Sequence, residues 1–137
     1  MFDHISFGVT DIARSRVFYD AALAPLGLTR LVNVTEGTST NSAYGKGGQP
    51  RLWICQDPAD RPKPSEGMHL AFVAPDRPAV DSFHRAALAN GGRDNGAPGI
   101  RSHYHPNYYA AFALDPDGHH IEAVCHAPGR FEDQFKN

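Results

Sequence analysis

The fold is decided by two stretches, HISFGVTDIARSRVFYDAALAPLG at residues 4–27 and HLAFVAPDRPAVDSFHRAALANGG at residues 69–92. A constant shift of 65 positions, from His4 to His69, aligns the two without a gap. It pairs HISF at 4–7 with HLAF at 69–72, Asp11 with Asp76, Phe18 with Phe83 and AALA at 21–24 with AALA at 86–89. Internal repeats fix an architecture before any single element is assigned. The chain is therefore predicted to be two copies of one unit.

Each unit has the pattern of a strand, a helix and three further strands. Apolar residues first alternate with polar or small ones, as in Ile5, Phe7 and Val9, and an aspartate that can cap a helix follows at Asp11. An amphipathic helix comes next, and glycine ends it, at Gly27 in the first unit. Segments of β-type composition complete the two units at 28–35, 42–46, 51–56, 93–97, 108–114 and 119–125.

The predicted class is α+β, with two tandem βαβββ modules in a single domain covering residues 1–137. Module one spans 1–57, a proline-rich polar linker spans 58–66, module two spans 67–126, and the tail 127–137 has no assignment. Two such modules placed side by side are expected to form a curved mixed sheet, with the helices outside and a concave groove within.

Composition excludes several classes of function. The chain has 137 residues, a formal net charge of -2, and 13 Lys and Arg scattered among 15 Asp and Glu without a basic run, so nucleic-acid and membrane-surface partners are not expected. Two cysteines are too few for a disulfide framework. The opening MFDHISFGV has no basic or long apolar segment, and no later run nears the ~20 apolar residues that span a bilayer. We expect a cytoplasmic protein.

Strand alternation places three side chains that can bind a metal on the face of their strands that points away from the helices. If Ile5 and its partners pack under the helix, His4 points the other way, and the same reasoning applies to His69 and Glu122 in their strands. Two histidines and one carboxylate form a facial triad that leaves coordination positions open for a substrate. Taken alone, a histidine that opens a strand is more often hydrogen-bonded than a metal ligand. His119 and His120 are expected at the surface.

Three segments resemble the glyoxalase, bleomycin-resistance and extradiol-dioxygenase superfamily, also called vicinal oxygen chelate. They are DHISFGVTDIARSRVFYDAAL, GMHLAFVAPD and AFALDPDGHHIEAV. The resemblance implies metal ligands at His4, His69 and Glu122, one divalent ion (Fe(II), Mn(II), Ni(II) or Zn(II)), a small-molecule substrate and a homodimer. Whether the two modules pair within one chain or swap between two chains is left open.

The resemblance also favours one branch of the superfamily. Glyoxalase I enzymes take a fourth ligand from the fourth strand, where alternation here puts Trp53. The three-ligand pattern instead resembles extradiol dioxygenases, and a lactoylglutathione lyase or a fosfomycin-type thiol transferase is the alternative. Extradiol dioxygenases and fosfomycin-type transferases both use a tyrosine at a place that falls here on Phe112. Tyr108 or Tyr109 could substitute for it. A non-catalytic antibiotic-binding protein is the rival from another class.

Other candidate site residues follow from these assignments. The candidate acids, bases or hydrogen-bond donors are His103, His105, Tyr108 and Tyr109. The candidate substrate contacts are Ser6, Trp53, Arg101 and Phe112. The alternative for the segment that carries the two histidines is an aromatic-rich loop that packs on itself.

Overall fold

The computed structural model of the protein describes residues 1–127, and the structural statements below concern that range. The first module contains one helix and four strands, and the second repeats this order. The elements are β1 (Ile5–Val9), α1 (Ile12–Leu23), a short 3-10 helix (Ala24–Leu26), β2 (Thr29–Glu36), β3 (Ser39–Lys46), β4 (Gln49–Gln56), β5 (His69–Val73), α2 (Arg77–Ala89), β6 (Arg93–Ile100), β7 (Tyr109–Leu114) and β8 (His120–Cys125). The predicted α+β class with two βαβββ modules is confirmed.

The helix boundaries arise from the residues that the sequence pattern indicated. Asp11 and Asp76 are the N-caps, and their carboxylates accept hydrogen bonds from the backbone N–H groups of Arg14 and Ala79. A glycine with positive φ, Gly27 at 81°, follows the first helical segment, where a side chain would strain the backbone. Within residues 1–127, neither helix is long and apolar enough to cross a membrane.

Each module forms a four-stranded mixed sheet of its own. The strand orders are β1-β4-β3-β2 and β5-β8-β7-β6, with β1 parallel to β4 and β5 parallel to β8. The remaining neighbours are antiparallel. In residues 1–127 the two sheets share no ladder of hydrogen bonds, so β1 and β5 are both edge strands.

One hydrophobic core holds the two modules together. Helices α1 and α2 contact each other, and Phe18 of α1 and Phe83 of α2 are fully buried in a cluster that also contains Ile54 of β4 and Ile121 of β8. Burying such a side chain contributes about 1.5–3 kcal/mol. Within one chain the modules form two separate sheets rather than the one curved sheet that was expected, and the two helices contact each other in the core.

A buried carboxylate in the turn between β7 and β8 links the modules. Asp115 is 1% exposed, and its Oδ2 accepts hydrogen bonds from the Tyr19 hydroxyl at 2.6 Å and from His119 Nδ1 at 2.8 Å. Its Oδ1 accepts from the backbone N–H groups of Asp117 and His119. The pKa of Tyr19 is raised by burial and by the adjacent Asp115 charge, so this hydroxyl remains a donor at neutral pH.

The surface placement expected for His119 is wrong, and that expected for His120 is correct only in part. His119 is 3% exposed because Asp115 accepts its ring N–H, and its ring lies 4.2 Å from that of Phe7 on β1. His120 is half-buried, and its Nδ1 lies 3.3 Å from the side-chain nitrogen of Asn95.

Candidate metal centre

Glu122 and His69 form the centre of the candidate site. In the parallel β5–β8 ladder Ala71 lies opposite Glu122 and His69 opposite His120, so alternation puts the imidazole and the carboxylate on one face of the sheet. His69 Nε2 lies 2.7 Å from Glu122 Oε1. The glutamate is 2% exposed, whereas 45% of the histidine side chain is accessible. A desolvated carboxylate is thus paired with a half-exposed imidazole.

Tyr108 completes the surroundings of this carboxylate. Its hydroxyl donates a short hydrogen bond to Glu122 Oε2, on the oxygen that His69 does not contact. Burial first, and then the neighbouring Glu122, raise the pKa of Tyr108 well above its ordinary value. At neutral pH the hydroxyl keeps its proton, so Tyr108 is a hydrogen-bond donor to the site rather than a base.

Tyr109 lies on the opposite face of β7. Its hydroxyl donates to Asp81 Oδ1 of α2 at 2.6 Å, and the guanidinium of Arg77 lies 5.2 Å from its ring centre. The two adjacent tyrosines are therefore separated by strand alternation, and of the two only Tyr108 contacts Glu122. Burial and the hydrogen bond to Asp81 raise the pKa of Tyr109 to about 12.

The raised pKa of Tyr109 predicts a loss of stability in alkaline solution. An unfolded tyrosine titrates near pH 10, whereas folded Tyr109 titrates at about 12. Its contribution to stability is complete below about pH 10 and is lost as the pH rises toward 12, because the unfolded state releases its proton first. Urea unfolding across this range should show a steeper fall for the parent protein than for Tyr109→Phe. Parallel curves would contradict the assignment.

His4 is not brought to this pair by the same chain. It precedes β1, half of its side chain is exposed, and its Nδ1 lies 2.7 Å from Asp3 Oδ1. In the part of the chain that the structure describes, no group of three His, Cys, Asp or Glu side chains is placed to hold a metal ion. The physical reason is that β1 and β5 belong to separate sheets, each at an open edge.

Trp53 occupies the place in the first module that Glu122 occupies in the second. Ser6 lies opposite Trp53 in the β1–β4 ladder, and its repeat equivalent Ala71 lies opposite Glu122 in the β5–β8 ladder. Trp53 is half-buried and Ser6 is exposed. The first module therefore offers an indole where the second offers a carboxylate.

The segment between β6 and β7 packs partly on itself beside the site. The His103 and Tyr104 rings lie 4.2 Å apart, and the Tyr104 and Tyr108 rings 4.8 Å. His105 Nε2 lies 2.6 Å from Nδ1 of His126, a residue to which the sequence pattern assigned no role. Alternation could have found it, because position 126 continues the face of Glu122 beyond the end of β8.

Arg101 is held by its own segment. Its guanidinium donates to the carbonyls of Ala97 at 2.7 Å and Gly99 at 2.8 Å, and lies 5.2 Å from the ring centre of Phe112. The Phe112 ring in turn meets that of His69 edge-on, with 5.8 Å between centres. Arg101 and Phe112 thus form a wall beside the candidate ligands.

The fold and this site define a family. The profile of the Glyoxalase/Bleomycin resistance protein/Dioxygenase superfamily matches residues 1–123, and the chain belongs to that superfamily. Among curated proteins, none matches the sequence.

Solved structures support the same assignment. The chain is similar to a glyoxalase/bleomycin resistance protein from Albidiferax ferrireducens T118, with 32% identity, a TM-score of 0.75, and coverage of 90% of this chain and 98% of that one. It also shares its fold with glyoxalase I from Zea mays, at 22% identity and a TM-score of 0.70, covering 90% of this chain and 45% of the other. The fosfomycin resistance protein FosX from Listeria monocytogenes has 19% identity and a TM-score of 0.64, with 98% of each chain covered.

Proposed function

We propose that this protein is a divalent-metal-dependent enzyme that binds a small substrate through two adjacent oxygens, with a three-ligand site of the extradiol-dioxygenase type. His69 and Glu122 of one chain would hold the ion together with His4 of the partner subunit. The lyase and thiol-transferase alternatives share this chemistry of chelation. A fourth protein ligand, as in glyoxalase I enzymes, has no counterpart at Trp53.

The observation that carries the proposal is the burial of the Glu122 carboxylate without a Lys or Arg partner in residues 1–127. The carboxylate is buried, and in residues 1–127 no Lys or Arg pairs with it; its contacts are the His69 imidazole and the Tyr108 hydroxyl. A buried charge is costly unless a counter-charge or a metal ion balances it. The imidazole nitrogen and the carboxylate oxygen are also donors that suit Fe, Mn, Ni and Zn. The residues present therefore fit a divalent cation.

A second copy of the chain would supply the third ligand. Both β1 and β5 are edge strands, and Val73 on β5 is 76% exposed. In a twofold dimer, pairing β1 of one chain with β5 of the other is accompanied by the reverse pairing. That pairing covers the β1 and β5 edges and brings His4 toward the face of His69 and Glu122.

The chain's own residues would divide the remaining work. A bound ion would stabilise negative charge on the chelated substrate oxygens. Tyr108 holds Glu122 in place and retains its proton, while His103 and His105 are the candidates for moving a proton to or from substrate. Trp53 and Phe112 present aromatic surfaces that suit a planar substrate.

Mixing two variants that each lack one ligand tests whether the metal site is shared between two chains. His4→Ala and Glu122→Gln copies should each fail to bind the ion with normal affinity. If every site takes His4 from one chain and Glu122 from the other, an equal mixture that has exchanged subunits contains half heterodimers. Each heterodimer has one intact site of two, so about a quarter of the parent metal content should return. Metal analysis after unfolding and refolding the mixture measures this fraction.

The same experiment has clear contrary results. No recovery in a mixture shown to contain heterodimers would mean that the ligands come from one chain. Normal metal content in both single variants would discard the metal site itself. Oxygen uptake with catechols, run beside a hemithioacetal isomerisation assay on metal-loaded protein, separates the dioxygenase from the lyase alternative.

A further inference from the structure

A cavity of about 360 Å³ lies at the junction of the two modules, away from the candidate metal centre. Leu26 and Leu52 of the first module and Phe72 of the second form part of its apolar wall. Its volume lies in the range of pockets that hold small organic ligands. His69 begins β5, whereas Phe72 and Val73 end it, so cavity and metal centre lie toward opposite ends of this strand.

The charged side chains that line this cavity are both cations. Lys46 and Arg51 come from the β3–β4 hairpin, and in residues 1–127 no carboxylate lines the cavity. Within residues 1–127 Lys46 forms no ion pair, and Arg51 Nη1 donates to the Asp3 carbonyl, which leaves the rest of its guanidinium free. The Tyr44 hydroxyl is already bonded to Asp20 at 2.9 Å.

The repeat-equivalent junction, around Phe7, is filled by side chains, whereas the junction around Phe72 is not. Phe7, the equivalent of Phe72, is covered at 4.2 Å by the His119 ring, which the buried Asp115 holds in place. Ala43 and Phe112 are equivalent because they pair with Trp53 and Glu122. Counting three residues on from each reaches Lys46 and Asp115, past a register shift between Tyr44 and Gly45 in the β3–β4 ladder. Where the second hairpin inserts an acid and an aromatic ring, the first leaves a space with a cation at its margin.

We propose that this cavity is a second binding site and that it takes an amphipathic monocarboxylate. The apolar body of such a ligand packs against Leu26, Leu52 and Phe72, and its carboxylate pairs with Lys46 and Arg51. Arginine suits this task because its planar fork matches two carboxylate oxygens. A bound ligand bridges the two modules, since each contributes a wall.

Octanoate is the probe, and octylamine is the matched cationic control. Isothermal titration on chelator-treated full-length protein should detect octanoate binding and no octylamine binding. The double variant Lys46→Gln/Arg51→Gln should bind octanoate at least about tenfold more weakly, because two charge-assisted contacts are lost. The double variant Lys63→Gln/Arg85→Gln removes the same charge outside the cavity and should bind like the parent.

Three results would overturn the proposal. These are equal octanoate affinity in Lys46→Gln/Arg51→Gln and parent, equal binding of octylamine, or no binding of octanoate up to about 10 mM. Repeating the titration on metal-loaded protein and on Glu122→Gln separates the two proposed sites, because octanoate bound at the junction is retained in this variant, whereas octanoate held by the ion is lost. Unchanged melting temperatures check that each variant is folded.

Discussion

Replacing Glu122 with glutamine should lower the affinity for a divalent ion by about 100-fold or more. An amide has lost the charge that balances the cation, and even the residues that only orient a ligand contribute 10–100-fold. The side chain keeps its size, so the β8 packing around Ala123 is retained. Titration of Mn(II) or Fe(II) into chelator-treated protein measures the change.

Stability provides a second readout for Glu122. Without metal, Glu122→Gln should be as stable as the parent or more so, because the variant removes a buried charge that has no Lys or Arg partner in the described residues. With saturating metal the order should reverse, since the ion stabilises only the protein that binds it. Glu66→Gln, at an exposed linker position, is the control. Equal metal affinity in parent and Glu122→Gln would refute the ligand assignment.

Asp115→Ala should destabilise the fold by about 3–5 kcal/mol, the range for removing one partner of a buried charged network. The substitution leaves the Tyr19 hydroxyl and His119 Nδ1 without their acceptor, as well as two backbone N–H groups. It also removes a contact between α1 and the β7–β8 turn, that is, between modules. Urea unfolding at pH 7 measures the loss.

A double-mutant cycle assigns that loss to the network. Tyr19→Phe alone should cost about 1.5–3 kcal/mol, since it removes a hydrogen bond to a charged group, and it should cost much less once Asp115 is alanine. Asp60→Ala, in the exposed part of the linker, serves as the control. Additive losses from the two substitutions would show that Tyr19 and Asp115 act independently.

Much of the fold was predictable because it rests on local patterns. The repeat predicted two βαβββ modules, and the capping aspartates Asp11 and Asp76 lie where the pattern placed them. Alternation also put His69 and Glu122 on one face, and their 2.7 Å contact is in accord with it. Both patterns depend on the period of the backbone, which a sequence displays directly.

The burial of polar side chains was harder to predict from the sequence. His119 was expected at the surface. It is buried because Asp115 accepts its ring proton and Phe7, far away in the sequence, covers its ring. Asp115 lies only four residues away, but Phe7 belongs to the first module, so no local window contains all the residues that bury His119.

By itself the sequence determined the repeated unit, its helix ends and the direction of His4, His69 and Glu122 relative to their own strands. The tertiary structure alone decided that α1 and α2 share one core, that His69 and Glu122 meet, and that His4 precedes a strand of the other sheet. The physical reason is that periodicity records how a side chain points from its own backbone. Periodicity does not record which edge strand pairs with which. β1 can meet β5 of its own chain or β5 of a second copy, and packing between the modules decides between the two.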